Sequence, residues 1–217
     1  GHEKDGFLHY HDLGPKFPSL LKYIKQVSTG KNKDFLLKQF QFEKDIDKDG
    51  NVGDVLSPKQ TVLVQVIKEP ISTKGPRLSS EISLAGRFMV LMPFSDRVSI
   101  SQKIEDRAEK SRLKKLVQSI RPKGFGLIIR TVAEGQKVAA LDADIQQLLT
   151  RWKNLSVKLK QIDQFPTKVL SEINRSSSIL RDIFDDHFTG IHVDDAEMQV
   201  EIQDYLETIA PQKKNIV

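Results

Sequence analysis

The sequence contains no cysteine and a single tryptophan among 217 residues. It has no apolar run approaching the ~20 residues that cross a bilayer. Without cysteine there are no disulfides, zinc ribbons, iron–sulfur clusters or thiol nucleophile. Without a long apolar run there is no membrane-spanning helix. The stretch Gly1 to Asp5 is polar and charged, unlike a signal peptide. No phosphate-cradling P-loop and no nucleophile motif occurs. Hydrophobic residues make up 38%, which is low but enough for a core, so wholesale disorder is excluded. The expectation is a soluble, cytoplasmic protein built as one large domain or two small ones.

What is present is charge, unevenly placed. The chain carries 34 Lys/Arg against 29 Asp/Glu, a net +5. From Lys68 to Lys137 there are 15 basic and 7 acidic residues, and from Asp182 to Glu207 there are 9 acidic and no basic ones. A basic middle fits a polyanion-binding surface. Solvated faces of ordinary helices fit the same counts.

The apolar pattern predicts the elements. Gly6–Tyr10 reads as a strand, and Leu20, Leu21, Tyr23, Ile24 and Val27 give a helix over 18–27. Residues 28–60 are polar and rich in Gly, Lys and Asp, which predicts loops with one helix around Phe35–Phe40. Thr61–Ile67 is a β-branched strand. Leu78–Leu84 and Arg87–Met92 read as two strands of a hairpin bent at Ala85-Gly86, and Gly124–Thr131 as another strand. Between them, Leu113, Leu116, Val117 and Ile120 recur at helical spacing with basic residues on the other faces. Leu141, Ile145, Leu148, Trp152, Leu155, Leu159 and Ile162 then follow at alternating steps of 4 and 3, a heptad seam on a helix from about Glu134 to Gln164. Three repeats favour packing within the chain over a coiled coil between chains. Pro166 ends that helix. A strand near Val169, a helix near Leu180, a strand at Ile191–Val193 and a helix at Ala196–Ile209 complete the pattern.

Several motifs imitate chemistry without completing it. Asp45-Ile-Asp47-Lys-Asp49-Gly50-Asn51-Val52 copies the front of a calcium loop, but the twelfth place is Leu56 where a bidentate Glu is needed, so a turn-rich acidic loop is expected. His9 and His11 share a face at strand spacing but lack further ligands in sequence, and His187 and His192 lack ligand spacing. The pairs Asp185-Asp186 and Asp194-Asp195 would need a cleft to do acid–base work. Arg130-Thr131, ending a buried apolar strand, offers a two-pronged guanidinium, a hydroxyl and a backbone N–H, all suited to a phosphate. A solvated strand end is the alternative.

Two long stretches carry a resemblance. Lys74-Gly-Pro-Arg-Leu-Ser-Ser-Glu-Ile-Ser-Leu-Ala-Gly-Arg-Phe-Met-Val-Leu-Met-Pro93 and Gly124-Phe-Gly-Leu-Ile-Ile-Arg-Thr131 resemble the bacterial ribonuclease E/G family. Gly6-Phe7-Leu8 and Val64–Glu69 fit the same family, and residues 12–55 look like a lineage-specific expansion. The resemblance implies an α+β fold. Residues 1–80 would be a partial OB-type β-barrel carrying an insertion at about 12–55. Residues 81–175 would be an α/β 5′-sensor subdomain, and 176–217 a fragment of a ribonuclease-H-like subdomain.

By the same resemblance, Arg130 and Thr131 grip the 5′-monophosphate of single-stranded RNA, while Gly86 and Val90 lie beside that phosphate and its base. Phe7 stacks on bases and Lys74 makes a basic contact. Relatives commonly carry Ser-Arg-Arg-Ile where this chain reads Ser101-Gln102-Lys103-Ile104, so Lys103 stands in for the arginines. The parent enzyme is implied to be a magnesium-dependent endoribonuclease of RNA processing and decay, possibly a homo-oligomer. Its catalytic aspartates and metal would lie outside this chain, which is expected to hold no metal and no catalytic residue. Two other readings stay open at this point. One is an RNA-binding module without end recognition. The other is a protein-interaction scaffold using the heptad seam or the acidic segment.

Overall fold

A computed structural model of the protein describes residues 4–32, 35–171, 175–184 and 187–217. The chain divides into two compact units, Gly1–Val169 and Leu170–Val217.

The first unit is organised by its longest helix. The heptad seam becomes α4, Val138–Gln161, and Leu141, Ile145, Leu148, Trp152, Leu155 and Leu159 on it are all buried. It packs against α1 (Phe17–Ser28), against α3 (Arg107–Ile120) and against β4 (Leu84–Ala85) and β5 (Met89–Pro93). The seam is therefore covered by the chain itself, which leaves no apolar stripe on it for a second chain. Its N-terminus starts four residues later than the apolar pattern predicted, because Thr131–Ala133 forms a 3-10 turn and Gly135 adopts φ 70°.

Beneath α4 lies a four-stranded sheet in the order β4-β5-β7-β6, with β6 at Val98–Ile100 and β7 at Phe125–Ile129. β5 and β7 are antiparallel, with Met89 opposite Ile129 and Pro93 opposite Phe125. β6 runs parallel to β7, with Ile100 opposite Ile129, and α3 supplies the crossover between them. Asp106 caps α3 by accepting the Ala108 N–H at 2.8 Å. Periodicity did not predict β6, whose three residues are flanked by polar turns.

A second sheet has the order β1-β3-β2, formed by Phe7–Leu8, Arg77–Ser79 and Gln65–Lys68. Among the described residues it is open, not a closed barrel. Its strands are two to four residues long, too short to curl round and close. β1 stops at Leu8 because Tyr10–Leu13 turns into a 3-10 helix, begun by His9 Nδ1 accepting the His11 N–H at 3.2 Å. The strand expected over Leu78–Leu84 is divided. Its first part joins one sheet and its last part the other, while Ser80 donates its N–H to Asp12 O at 2.8 Å and Ser83 donates to Gln65 Oε1 at 2.9 Å.

Residues 35–42 do not form the predicted helix. They fold as turns that enter the core, where Leu37 is fully buried. Trp152 Nε1 and Tyr23 OH both donate to the carbonyl of Phe35, at 2.9 and 2.8 Å, and Tyr23 also bonds Ser156 Oγ at 2.7 Å. Around them Phe40, Phe42, Phe94 and Phe125 pack mostly edge to face. What reads as a polar insertion thus supplies core side chains. The acidic loop after it satisfies its own polar groups. Asp45 pairs with Lys16, Asp47 accepts the Asp49 N–H, and Asp54 accepts the Asn51 N–H at the start of the single-turn α2, Val52–Val55.

The second unit packs α5 (Arg175–Ile183) on α6 (Ala196–Ile209) through Leu180, Phe184, Ile202, Leu206 and Ala210. Asp195 caps α6, accepting the Met198 N–H at 2.7 Å. The strands predicted near Val169 and at Ile191–Val193 do not form, and Pro211–Ile216 is a 3-10 turn whose Ile216 carbonyl accepts the Ile191 N–H at 2.8 Å. Asp185-Asp186 lies outside the described residues. Because α4 is buried on several sides, Leu148→Ala is expected to lower the unfolding free energy by about 2–5 kcal/mol, measured by urea denaturation.

Candidate nucleic-acid interface

The charged and hydroxyl groups that the sequence singles out meet at one end of the four-stranded sheet. Two parallel strands end side by side there. The Ser101 N–H donates to Ile129 O at 2.8 Å, and the Ser101 and Thr131 hydroxyls lie 3.0 Å apart. Lys103 is exposed on the turn that follows β6, with its N–H on Ser101 Oγ at 3.3 Å. Arg107 is exposed at the start of α3 just beyond.

Arg130 is not a solvated strand end. It is half-buried, its N–H donates to Phe88 O at 2.8 Å, and its Nη1 donates to Gly86 O at 3.0 Å and to Arg87 O at 3.4 Å. The guanidinium therefore lies against the turn that joins β4 to β5. Val90 is half-buried on β5, paired with Ala85 on one side and Ile128 on the other.

The same turn is held from its other side by α4. Asp144 is buried, and its carboxylate accepts three successive backbone N–H groups, from Arg87 at 2.9 Å, Phe88 at 3.0 Å and Met89 at 2.9 Å. Burial pushes its carboxyl group above the ordinary range, opposed by these three hydrogen bonds and by the charge of Arg130. A Cβ on Gly86 would come within 2.7 Å of both carboxylate oxygens, so the position admits glycine only. The sequence pattern did not assign Asp144. Its signal was a charged residue on the apolar face of α4, three places after Leu141 and four before Leu148.

The loop after Thr131 is fastened to α3. Arg112 forms a two-pronged pair with Glu109 at 2.6 Å, Glu109 accepts the Gly135 N–H at 2.9 Å, and Arg112 Nη1 donates to Gln136 O at 3.1 Å. The Arg112 hydrogen bonds and then the Gly135 N–H hold the Glu109 carboxyl down at about 2.

Phe7 and Lys74 belong to the other sheet. Phe7 is 59% exposed on β1, with the His9 and His11 rings in a row beside it at centroid distances of 6.2 and then 5.0 Å. Lys74 is exposed in the turn before β3. Arg77, in the same basic motif, is tied to Asp12 by two hydrogen bonds at 3.0 and 2.9 Å, which hold the Asp12 carboxyl below its usual range. A shallow groove of about 260 Å³ lined by Lys158, Gln161 and Val169 contains none of these residues. Among the described residues no three His, Asp or Glu side chains converge so as to hold a metal ion, so the residues present do not fit the magnesium that the resemblance implies for the parent enzyme.

These features define a mixed α+β protein with a basic, hydroxyl-bearing notch where parallel strands end. Residues 83–217 match the Ribonuclease E/G family, and the chain belongs to that family. It is 32% identical to Ribonuclease E of Nostoc sp. over 94% of this chain and 26% of that protein. It is 36% identical to Ribonuclease E of Synechocystis sp. over 80% of this chain and 24% of that one. Against Ribonuclease G of Haemophilus influenzae the identity is 30%, over 98% of this chain and 39% of the relative. The chain thus spans between about a quarter and two fifths of these relatives' lengths. No helix among the described residues is long and apolar enough to cross a membrane.

The Glu109 clasp makes a pH-dependent contribution. Its folded carboxyl ionises at about 2 against a reference of 4.5, so the stabilisation is present above pH 4.5 and is lost as the pH falls from there towards 2. Glu109→Gln is expected to cost about 0.5–1 kcal/mol at neutral pH, allowing for the solvent exposure of the pair. Denaturant titrations at successively lower pH should show that gap closing.

Proposed function

We propose that this chain is the RNA-binding, 5′-monophosphate-sensing portion of an endoribonuclease of the E/G type, acting in cytoplasmic RNA processing and decay. One observation carries the proposal. Arg130, at the end of β7, is oriented by the carbonyls of Gly86 and Arg87 and lies next to Thr131, whose hydroxyl pairs with that of Ser101. A guanidinium fixed in direction, with hydroxyls beside it, suits the tetrahedral oxygens of a terminal phosphate. Gly86 and Val90 line the same notch. Lys103 and the exposed basic residues of α3 extend the positive charge along the path a strand would take.

The open sheet with Phe7 and Lys74 is read as the part of an OB-type fold that holds downstream nucleotides, with the Phe7 ring stacking at ~1–3 kcal/mol per base. In this reading 1–80, 81–175 and 176–217 are the OB-type, 5′-sensor and ribonuclease-H-like parts. Magnesium, RNA cleavage and homo-oligomer formation belong to the parent enzyme. The sensor then acts through binding energy, since anchoring the 5′ end helps to place a scissile bond elsewhere on the same strand. A 5′-triphosphate is bulkier and should fit poorly.

Arg130→Gln is expected to weaken binding of a 5′-monophosphorylated oligonucleotide. A charge-assisted hydrogen bond is worth ~1.5–3 kcal/mol, which corresponds to roughly tenfold to a hundredfold. The same oligonucleotide with a 5′-hydroxyl should bind nearly as before. Fluorescence anisotropy on both ligands distinguishes the cases, and an equal loss for both would rule out end sensing.

A further inference from the structure

Asp144 is the one charged side chain among the buried described residues of the protein. Burying a carboxylate is costly even when it is fully hydrogen-bonded, and an apolar side chain of similar size often serves stability as well or better. Packing alone therefore does not account for it. Its hydrogen bonds point to a geometric role. The peptide run from Gly86 to Met89 is held between two elements that do not touch it through apolar contact alone. The amides of Arg87, Phe88 and Met89 go to Asp144 on α4. The carbonyls of Gly86, Arg87 and Phe88 go to Arg130 at the end of β7. Arg151, two turns further along α4, adds a second brace by donating to Ala85 O at 2.9 Å. Three successive N–H groups converging on one point form a small anion-binding concavity, and here the protein fills it with its own carboxylate.

We infer that Asp144 is a positioning residue for the phosphate site. It fixes the Gly86–Met89 turn so that the turn's carbonyls aim the Arg130 guanidinium. The inference rests on the reading of Arg130 as a phosphate-binding group and adds to it the residue that sets its direction. It also gives Gly86 a second reason to be glycine. The space a Cβ would need is taken by the Asp144 carboxylate, 2.7 Å away, independently of any ligand. An amide in place of the carboxylate cannot reproduce the arrangement. All three partners are N–H donors, so the side-chain NH₂ of an asparagine would face at least one of them donor to donor.

The test uses Asp144→Asn and, separately, Gly86→Ala, which pushes the turn away from Asp144 without removing its charge. For each variant and for the parent chain, affinities are measured for one oligonucleotide carrying a 5′-monophosphate or a 5′-hydroxyl. The expected result is that the preference for the 5′-monophosphate falls at least fivefold in both variants while 5′-hydroxyl affinity stays within about twofold. A residue with a purely structural role would lower both affinities together or lower only the unfolding midpoint. If Asp144→Asn does not fold, Gly86→Ala decides. If the parent discriminates between the two ends and the folded variants keep that preference, the role of Asp144 is overturned while the phosphate site stands. If the parent itself does not discriminate, the reading of the phosphate site fails, and the role of Asp144 fails with it.

Discussion

A helix of 24 residues with an apolar seam along its length has to be covered on several sides, and the first unit is arranged around that requirement. Covering it brings α1, α3, the four-stranded sheet and the turns at 35–42 onto one element. The aromatic cluster around Trp152 closes one part of the seam, with the indole and the Tyr23 hydroxyl satisfied on a single carbonyl, that of Phe35. Buried polar groups cannot be left unpaired at this depth. That shared carbonyl is why a polar-looking segment is part of the core and not an appendage.

The same docking places one carboxylate where it organises the notch. Asp144 lies near the N-terminal end of α4 and Trp152 two turns later, so the burial that fixes the tryptophan also fixes the carboxylate beneath the β4–β5 turn. From there the order passes through backbone amides and carbonyls to Arg130, and through the ends of two parallel strands to Ser101 and Thr131. Much of the basic excess in the middle of the chain is internally paired. Arg77 is held by Asp12, Arg112 by Glu109 and Arg121 by Asp96. The positive face left for a polyanion is formed by exposed residues such as Lys103, Arg107, Lys114 and Lys115, which line the region beside the notch.

Legibility in the sequence followed periodicity and length. α3, α4 and α6 repeat their apolar residues over many turns, and each stands close to where the pattern puts it. β5 and β7 are short, but their apolar runs are bounded by turn residues, and they too are where expected. β6 was invisible because three residues with one serine between them carry almost no pattern. The strand expected across Leu78–Leu84 failed because an apolar run does not say which sheet each half will join, and Ser80 and Ser83 find partners that carry the chain across. The helix expected at 35–40 and the strand at 191–193 lost to tertiary contacts that a local pattern cannot contain. In the site, Arg130 and Thr131 were legible as chemistry and Lys103 as a charge at the right distance along the chain.

The sequence by itself determined the family, through two long motifs in order, and the existence of the long helix, because a seam of large apolar residues at alternating steps of three and four admits few other outcomes. It also determined that thiol chemistry and disulfides are absent. Only the tertiary structure decided that Asp144 faces the β4–β5 turn, that Arg77 answers Asp12, and that the first sheet remains open. Each of these depends on groups 55 or more positions apart in sequence meeting at hydrogen-bond distance or failing to enclose a space. No local propensity encodes such meetings, since they follow from how whole elements pack once their apolar faces are buried.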